Sequence, residues 1–208
     1  MTTLVLASAS PARLETLRRA GVDPVVIVSD VDEDAALARA QAAGGVLSPA
    51  DAVLALARAK AESVAAGVAD SVVLGCDSML ELDGEIYGKP ETASVAIDRW
   101  RAMRGNEGLL HTGHWLVDAS RSAPGFGQTA TTRVRFADLS DAEIEAYVAT
   151  GEPLRVAGAF TVDGLGGPYV TSIEGDYHNV VGLSLPLLRE LLAQLHIEWH
   201  SLRSGPGL

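Results

Sequence analysis

Five charged residues and two serines hold most of the chemistry this chain could perform. Asp77 follows the apolar run SVVLGC, which reads as a strand, so it stands where a strand is expected to end. Asp83-Gly84 then turns the chain back, and Lys89-Pro90 closes the stretch. An acid at a strand end with a lysine returned beside it suits a phosphate bridged by a metal ion. Ser8, Ser10, the acids around Glu33 and Asp163 are also expected where strands end, and Arg13 and Lys60 add positive charge. Arg13, Lys60 and Lys89 as cations with Glu33 and Asp77 as carboxylates match a polyphosphate carrying a divalent ion. Oxygen ligands would hold the metal, and the cations would meet the remaining phosphate charge. Taken singly, each residue has a plainer account. A lone aspartate after a strand is most often a cap, and a lone lysine on an apolar helix stripe most often snorkels to water.

The elements that must position these residues can be read from periodicity. Thr3 to Ala7 reads as a short buried strand, followed by Ser10 as an N-cap and Pro11 at the first helical position. That helix should stop at Gly21. Val25 to Val28 reads as a strand running into the acidic segment 29–34, and residues 40–47 as a loop or weak helix. Ser48-Pro49 opens a helix whose stripe is Val53, Leu56, Ala57, Ala61 and Val64, and Lys60 falls on that stripe. Beyond Lys89 come a helix from Thr92 to Met103 and strands over 109–118 and 129–136, joined by SRSAPGFGQ. Ser140 with Glu143 makes a capping box for a helix through Val148. A Gly-rich stretch follows, then a closing helix from Pro186 to about His196. Strand and helix alternate, so the expected fold is α/β with a mixed central sheet flanked by helices. One domain is expected over 1–200, with a tail over 201–208 that is disordered from 204.

Composition narrows the partners. The chain has 208 residues, 16 basic and 27 acidic, for a net charge of −11. Such a field repels polyanions, and Arg13, Arg18 and Arg19 are the one basic cluster, so nucleic acid is not expected. Cys76, the single cysteine, permits no intrachain disulfide and reads as a packing residue. No segment approaches the roughly 20 apolar residues of a membrane span, and no basic leader precedes the first strand. No membrane partner and a cytoplasmic location are expected. Several sites can be set aside. There is no GxxxxGK[ST] loop, GLGG at 164–167 lacks the dinucleotide spacing, no GxSxG elbow is present, and neither histidine pair has an HExxH context.

Three motifs in order resemble the Maf family of nucleoside triphosphate pyrophosphatases. LASASPARLETLRRAG resembles LASxSPRRxxLLxxxG. GCDSMLELDGEIYGKP resembles GADTVVxxxGxxxGKP. AGAFTVDGLGGPYVTSIEGDYHNVVGLSLP resembles AGxxxxxGxGxxxxxxIxGxxxNVVGLP. The resemblance implies an inosine triphosphate pyrophosphatase-like fold of two lobes around one cleft, and hydrolysis of the α–β phosphoanhydride with a divalent cation, Mg²⁺ or Mn²⁺. It implies Asp77 as the catalytic proton acceptor, Glu33 and Asp77 as metal-associated carboxylates, and Ser8, Ser10, Arg13, Lys60 and Lys89 along the phosphates. A homodimer is implied as well. Ala12 replaces the motif's first arginine, Ser78 its threonine and Asp163 its glutamine, and these three are the implied specificity positions. Val156 and Gly108 stand where a lysine and a histidine are usual. An acid at 163 could accept from a base amino group or repel a phosphate. Two rival readings stay open. One is a nucleotide-binding regulatory protein linked to cell division with weak or no catalysis. The other is an aspartyl-phosphate phosphatase, which GCDS disfavours because no second acid follows two residues on.

Overall fold

A computed structural model describes residues 2–121 and 123–203. Among the described residues, seven strands form one mixed sheet: β1 (Thr3–Ala7), β2 (Val25–Val26), β3 (Ser71–Leu82), β4 (Glu85–Tyr87), β5 (Glu107–Asp118), β6 (Phe126–Phe136) and β7 (Val170–Glu174). Their order is β2-β1-β3-β5-β6-β7, with β4 paired to β3. β1 runs parallel to β2 and β3, whereas β3–β4 and β6–β7 are antiparallel. The helices are α1 (Pro11–Arg19), α2 (Glu33–Gly44), α3 (Pro49–Ala65), α4 (Ala93–Met103), α5 (Asp141–Ala149), α6 (Tyr177–Val181) and α7 (Leu185–Gln194). The expected α/β class with a mixed sheet is what the chain forms.

The chain divides into two compact units: residues 1–77, 112–130 and 182–208, and residues 78–111 and 131–181. In the first, alternation along β3 sends Val72, Leu74 and Cys76 into a core with Leu4, Leu6, Leu17, Leu188 and Leu191. The opposite face sends Val73 against Val5, Ala7, Ala61 and Val64. Cys76 is therefore packing, and burial pushes its thiol up to about 12. The second unit is built on aromatic rings. Trp100 of α4 meets Phe136, Tyr147 and Tyr169 edge-on, with centroids 5.5–5.9 Å apart. Its indole N–H donates to the Ala159 carbonyl at 2.8 Å.

The helix starts read at Ser10, Ser48 and Ser140 are legible in the sequence: each accepts a bond from a first-turn amide, and Ser140–Glu143 forms a complete capping box. Thr92 and Ser184 cap in the same way, so α4 begins after Thr92 and α7 begins at Leu185, one residue before the expected Pro186. Asp83 and Gly84 both have positive φ, the type I′ pattern that sets the β3–β4 register Leu82↔Glu85.

Several boundaries differ from the sequence reading. β2 pairs over only Val25–Val26, and the acidic segment opens α2, with Asp32 as its N-cap. Glu33 thus sits in the first turn of a helix and not at a strand end, and α2 runs to Gly44, so the helical alternative holds for the first part of the 40–47 segment. The Ala-rich sequence has helix propensity but buries only Ala36, so it has almost no amphipathic signature. β6 begins at Phe126, inside the expected connection, of which Ser122 lies outside the described residues. β7 and α6 emerge from the Gly-rich stretch, to which periodicity assigns no element. At the C-terminal end a 3₁₀ turn over Trp199–Leu202 buries Leu202 in the first core, so packing continues past residue 200. Residues 204–208, the expected disordered segment, lie outside the described residues. Among the described residues no single helix is long and apolar enough to cross a membrane.

Candidate active site

The first unit gathers most of the predicted residues around one point. Asp77 lies within β3, not at its end, because β3 runs on to Leu82 after β1 has finished at the Ala7↔Gly75 pair. The strand-end rule holds for β1, whose last residue leads into Ser8 and the cap of α1. α3 approaches β3 directly over Gly75. A Cβ there would stand 2.1 Å from the Ala57 carbonyl oxygen and 2.8 Å from the Ala61 nitrogen, so only glycine admits this contact. Lys60 lies on the helix between those two positions, and Asp77 is next but one along the same strand face.

The outcome is a carboxylate–ammonium–carboxylate chain. Lys60 Nζ is 2.6 Å from Asp77 Oδ1 and 2.7 Å from Glu33 Oε1. The side chains of Lys60 and Asp77 are 13% and 12% exposed, while Glu33 is 54% exposed. Lys60 therefore does not snorkel; it spends its charge on two acids. Burial alone would lower its pKa, but Asp77 and then Glu33 hold it above the ordinary lysine value. Burial holds the Asp77 carboxyl above the usual carboxylate range, against the pull of Lys60 and Arg13. The two directions pull against each other: an ionised Asp77 holds Lys60 charged, whereas burial disfavours that ionisation and Lys60 with Arg13 offsets it only in part.

Arg13 lies under this pair. Its Nε donates to the Gly182 carbonyl at 2.7 Å, and its Nη1 donates to the Cys76 carbonyl at 2.9 Å and to Ser8 Oγ at 3.0 Å. This arginine ties β1, β3 and the segment before α7 together while keeping a positive charge near Asp77. Ser8 Oγ also accepts from the Ser10 amide at 3.2 Å, and Ser10 Oγ caps α1 by accepting from the Arg13 amide at 3.4 Å. Ala12 sits on the first turn of α1, partly buried.

The remaining predicted residues belong to the second unit. Ser78 follows Asp77 on β3, partly buried. Lys89 is exposed beyond β4 and makes no ion pair among the described residues. The backbone beside it is anchored, because the Gly88 carbonyl accepts from Arg99 Nη1 at 2.5 Å and from the Gly158 amide at 3.2 Å. Asp163 is exposed in a bend after the 3₁₀ turn Ala157–Ala159 and follows no strand.

Sequence reading missed the residues that position others. Gly75 was part of the recognised stretch, but its role shows only once α3 is laid on it. Glu152 gave no signal at all, yet its carboxylate accepts from Thr161 Oγ1 at 2.6 Å, Tyr147 Oη at 2.9 Å and the amides of Leu165 and Gly166 at 3.1 Å. It therefore holds the bend that presents Asp163. No cluster of three or more His, Cys, Asp or Glu side chains suited to a metal exists among the described residues.

Fold and site together define an α/β protein whose polar centre is a buried acid–lysine pair beside a serine-capped helix. A model of the family described as Maf-like protein matches residues 3–195, and the chain belongs to that family. It is 52% identical over 211 residues to a protein of Leifsonia xyli subsp. xyli, covering 99% of this chain and 98% of that one. It is 55% identical over 194 residues to a protein of Streptomyces coelicolor, covering 92% and 90%. Both relatives bear the name nucleoside triphosphate pyrophosphatase. Among solved structures, the Ham1 protein of Staphylococcus aureus aligns over 97% of this chain and 94% of its own, with a TM-score of 0.46 and 15% identity.

Proposed function

We propose that this protein is a nucleoside triphosphate pyrophosphatase that hydrolyses the α–β phosphoanhydride, releasing a nucleoside monophosphate and pyrophosphate. The names of relatives sharing about half its sequence support the activity class. The observation that carries the mechanism is the Asp77–Lys60–Glu33 chain. It holds a buried carboxyl of raised proton affinity, and two acids converge on a single cation position.

A divalent cation fits these residues. Glu33 and Asp77 already meet at one ammonium, and two carboxylates completed by water and phosphate oxygens is the usual Mg²⁺ arrangement. Such an ion, Mg²⁺ or Mn²⁺, would supply charge neutralisation on the phosphates and acidify a bound water. The chain's own residues do the rest. Asp77 accepts the proton of the attacking water, and its raised pKa brings it closer to the working range of a general base. Lys60, once its acids are engaged elsewhere, has an ammonium free for a phosphate oxygen. Ser8 and Ser10 offer hydroxyls at the N-terminal end of α1, a region that favours anions. Arg13 holds this cradle and contributes charge, and Lys89 supplies a further cation. Ala12, Ser78 and Asp163 are the positions through which base preference would be set. A homodimer in the cytoplasm, acting on the nucleotide pool, belongs to the same reading.

The test is a panel of nucleoside triphosphates, including modified bases, incubated with Mg²⁺ or Mn²⁺ and scored for products. Pyrophosphate with nucleoside monophosphate is expected. Orthophosphate with intact diphosphate would overturn the cleavage site. A triphosphate that protects against heat but is never turned over would point to the regulatory reading.

A further inference from the structure

His111 and His114 stand three apart in the chain, and the candidate active site uses neither. His114 lies in the first unit, on the β5 face that sends Leu116 into the leucine core. The opposite face of β5 turns Trp115 and Val117 toward the smaller core under α3. His114 is fully buried, and a polar ring in an apolar core is tolerated when its nitrogens find partners. They do: the Ser184 amide donates to Nε2 at 2.8 Å, and Nδ1 is 3.0 Å from the Thr112 carbonyl oxygen. A backbone N–H only donates and a carbonyl only accepts, so Nε2 is the acceptor and Nδ1 carries the ring proton.

Ser184 ends the short turn that leads into α7. Its hydroxyl caps the helix by accepting from the Leu187 amide at 3.1 Å, and its own amide is held by His114, so the residue is fixed on two sides. Two residues earlier Gly182 adopts a φ of 118°, a conformation that favours glycine, and its carbonyl oxygen accepts from Arg13 Nε at 2.7 Å. Arg13 Nη1 reaches Ser8 Oγ and the Cys76 carbonyl. Because the guanidinium is planar and rigid, the partner of Nε sets the tilt of the whole fork. A line of hydrogen bonds and backbone thus runs from Thr112 through His114, Ser184 and Gly182 to Arg13, and every member belongs to the first unit.

We propose that His114 is a positioning residue for phosphate binding: by holding Ser184 it fixes the Gly182 carbonyl, which in turn sets the plane of the Arg13 guanidinium. This rests on the nucleotide-hydrolysing reading above, in which Arg13 holds the phosphate cradle. The imidazole suits the task because it accepts at one nitrogen and donates at the other. Glutamine can do the same with its amide oxygen and nitrogen. Leucine, of similar size, can do neither and leaves the Ser184 N–H buried without that acceptor.

The experiment compares wild type, His114→Leu and His114→Gln. Hydrogen exchange of the Arg13 Nε–H, followed by NMR and assigned by its loss in Arg13→Lys, is divided by that of the Leu74 amide in the same sample, so global destabilisation cancels. His114→Leu is expected to raise this ratio about tenfold and KM for a nucleoside triphosphate about tenfold, with a smaller change in kcat. His114→Gln should stay within about threefold of wild type in both. A general structural role would lower the active fraction, and so the apparent kcat, at unchanged KM and unchanged exchange ratio. An unchanged ratio or KM in His114→Leu, or equal changes in the two variants, would overturn the assignment. Should His114→Leu not fold, His114→Asn, whose shorter side chain withdraws from the Ser184 amide, carries the same readouts. If wild type releases pyrophosphate from no triphosphate, the functional reading fails on its own account. The role of His114 is then judged by the exchange ratio and by calorimetric affinity for inorganic pyrophosphate. Affinity weakened in His114→Leu and kept in His114→Gln supports it; affinity equal in all three, or absent from wild type, refutes it.

Discussion

Asp77 and Glu152 are carboxylates in different units, and their surroundings treat them in opposite ways. Asp77 is buried beside charges, and burial holds its carboxyl above the usual range. Burial also works to raise Glu152, but donors from Thr161, Leu165, Tyr147 and Gly166 outweigh it and hold Glu152 below the ordinary value. One carboxylate rests on a lysine ammonium, the other on hydroxyls and amides. A charge balanced by another charge can be handed to a metal or a proton. A charge balanced by a net of neutral donors is a structural fixture. The contrast separates a site that can react from a site that holds a bend in shape.

Replacing Asp77 by Asn should break the reactive side most severely. Pyrophosphate release is expected to fall about 10²–10⁴-fold, the scale of general-base removal. Melting temperature at neutral pH should change little, because the amide avoids the cost of a buried charge while the Lys60–Glu33 pair survives. Activity within a few-fold of wild type would remove Asp77 from the mechanism. Next in size is Gly75→Ala, whose methyl would enter the backbone of α3. A loss of about 1–3 kcal/mol is expected from overpacking, together with reduced turnover as Lys60 is displaced. Chemical denaturation with parallel kinetics checks both, and a variant as stable and active as wild type would show that α3 is not seated by that contact.

The two carboxylates also differ in how far the sequence disclosed them. Asp77 was legible because a run of apolar residues, a lone acid, a turn dipeptide and a lysine follow one another within a short stretch. Helix starts were legible for the same reason, since a cap and its first turn are neighbours in the chain. Glu152 was not, because its partners come from three segments and none is unusual by itself. Glu33 was found as a residue but placed on the wrong element: helix propensity in the Ala-rich segment prevailed where no amphipathic stripe announced it. β3 was read as ending at Asp77 because polar residues begin there. The strand continues with Asp77 and Glu81 on one face and Leu80 and Leu82 on the other. Local signals are visible in sequence, and long-range pairing becomes visible only when the strands are aligned.

The structural side of the comparison is tested by Glu152→Gln. The amide turns donors toward the Thr161 and Tyr147 hydroxyls and the Gly166 amide, or else toward the Leu165 amide, so about 1–3 kcal/mol should be lost. The pH dependence gives the sign. Glu152 has a depressed folded pKa, so its stabilisation is present above the ordinary glutamate range and fades as pH falls through the folded value. Asp77, with a raised folded pKa, contributes in the opposite sense. Its contribution is present below the ordinary aspartate range and is lost as pH rises through the folded value. Thermal melts between neutral pH and strong acid should show the gap between wild type and Glu152→Gln closing on acidification. A gap that stays constant would mean that the carboxylate's charge is not what holds the bend.

The smallest effect on stability, and the finest test of the reactive side, is Glu33→Gln. Glu33 is more than half exposed, so its pair with Lys60 is worth no more than about 0.2–1 kcal/mol. A change in melting temperature of at most a few degrees is expected. If Glu33 serves the cation and not the fold, the variant should need a much higher Mg²⁺ concentration for half-maximal rate, while the rate at saturating metal recovers most of the wild-type value. A raised KM for nucleotide at every metal concentration, with unchanged metal demand, would instead assign Glu33 to holding Lys60 in place. Either result separates the two acids that meet at Lys60: Asp77, whose burial raises its proton affinity, and Glu33, whose exposure leaves it free to exchange one cation for another.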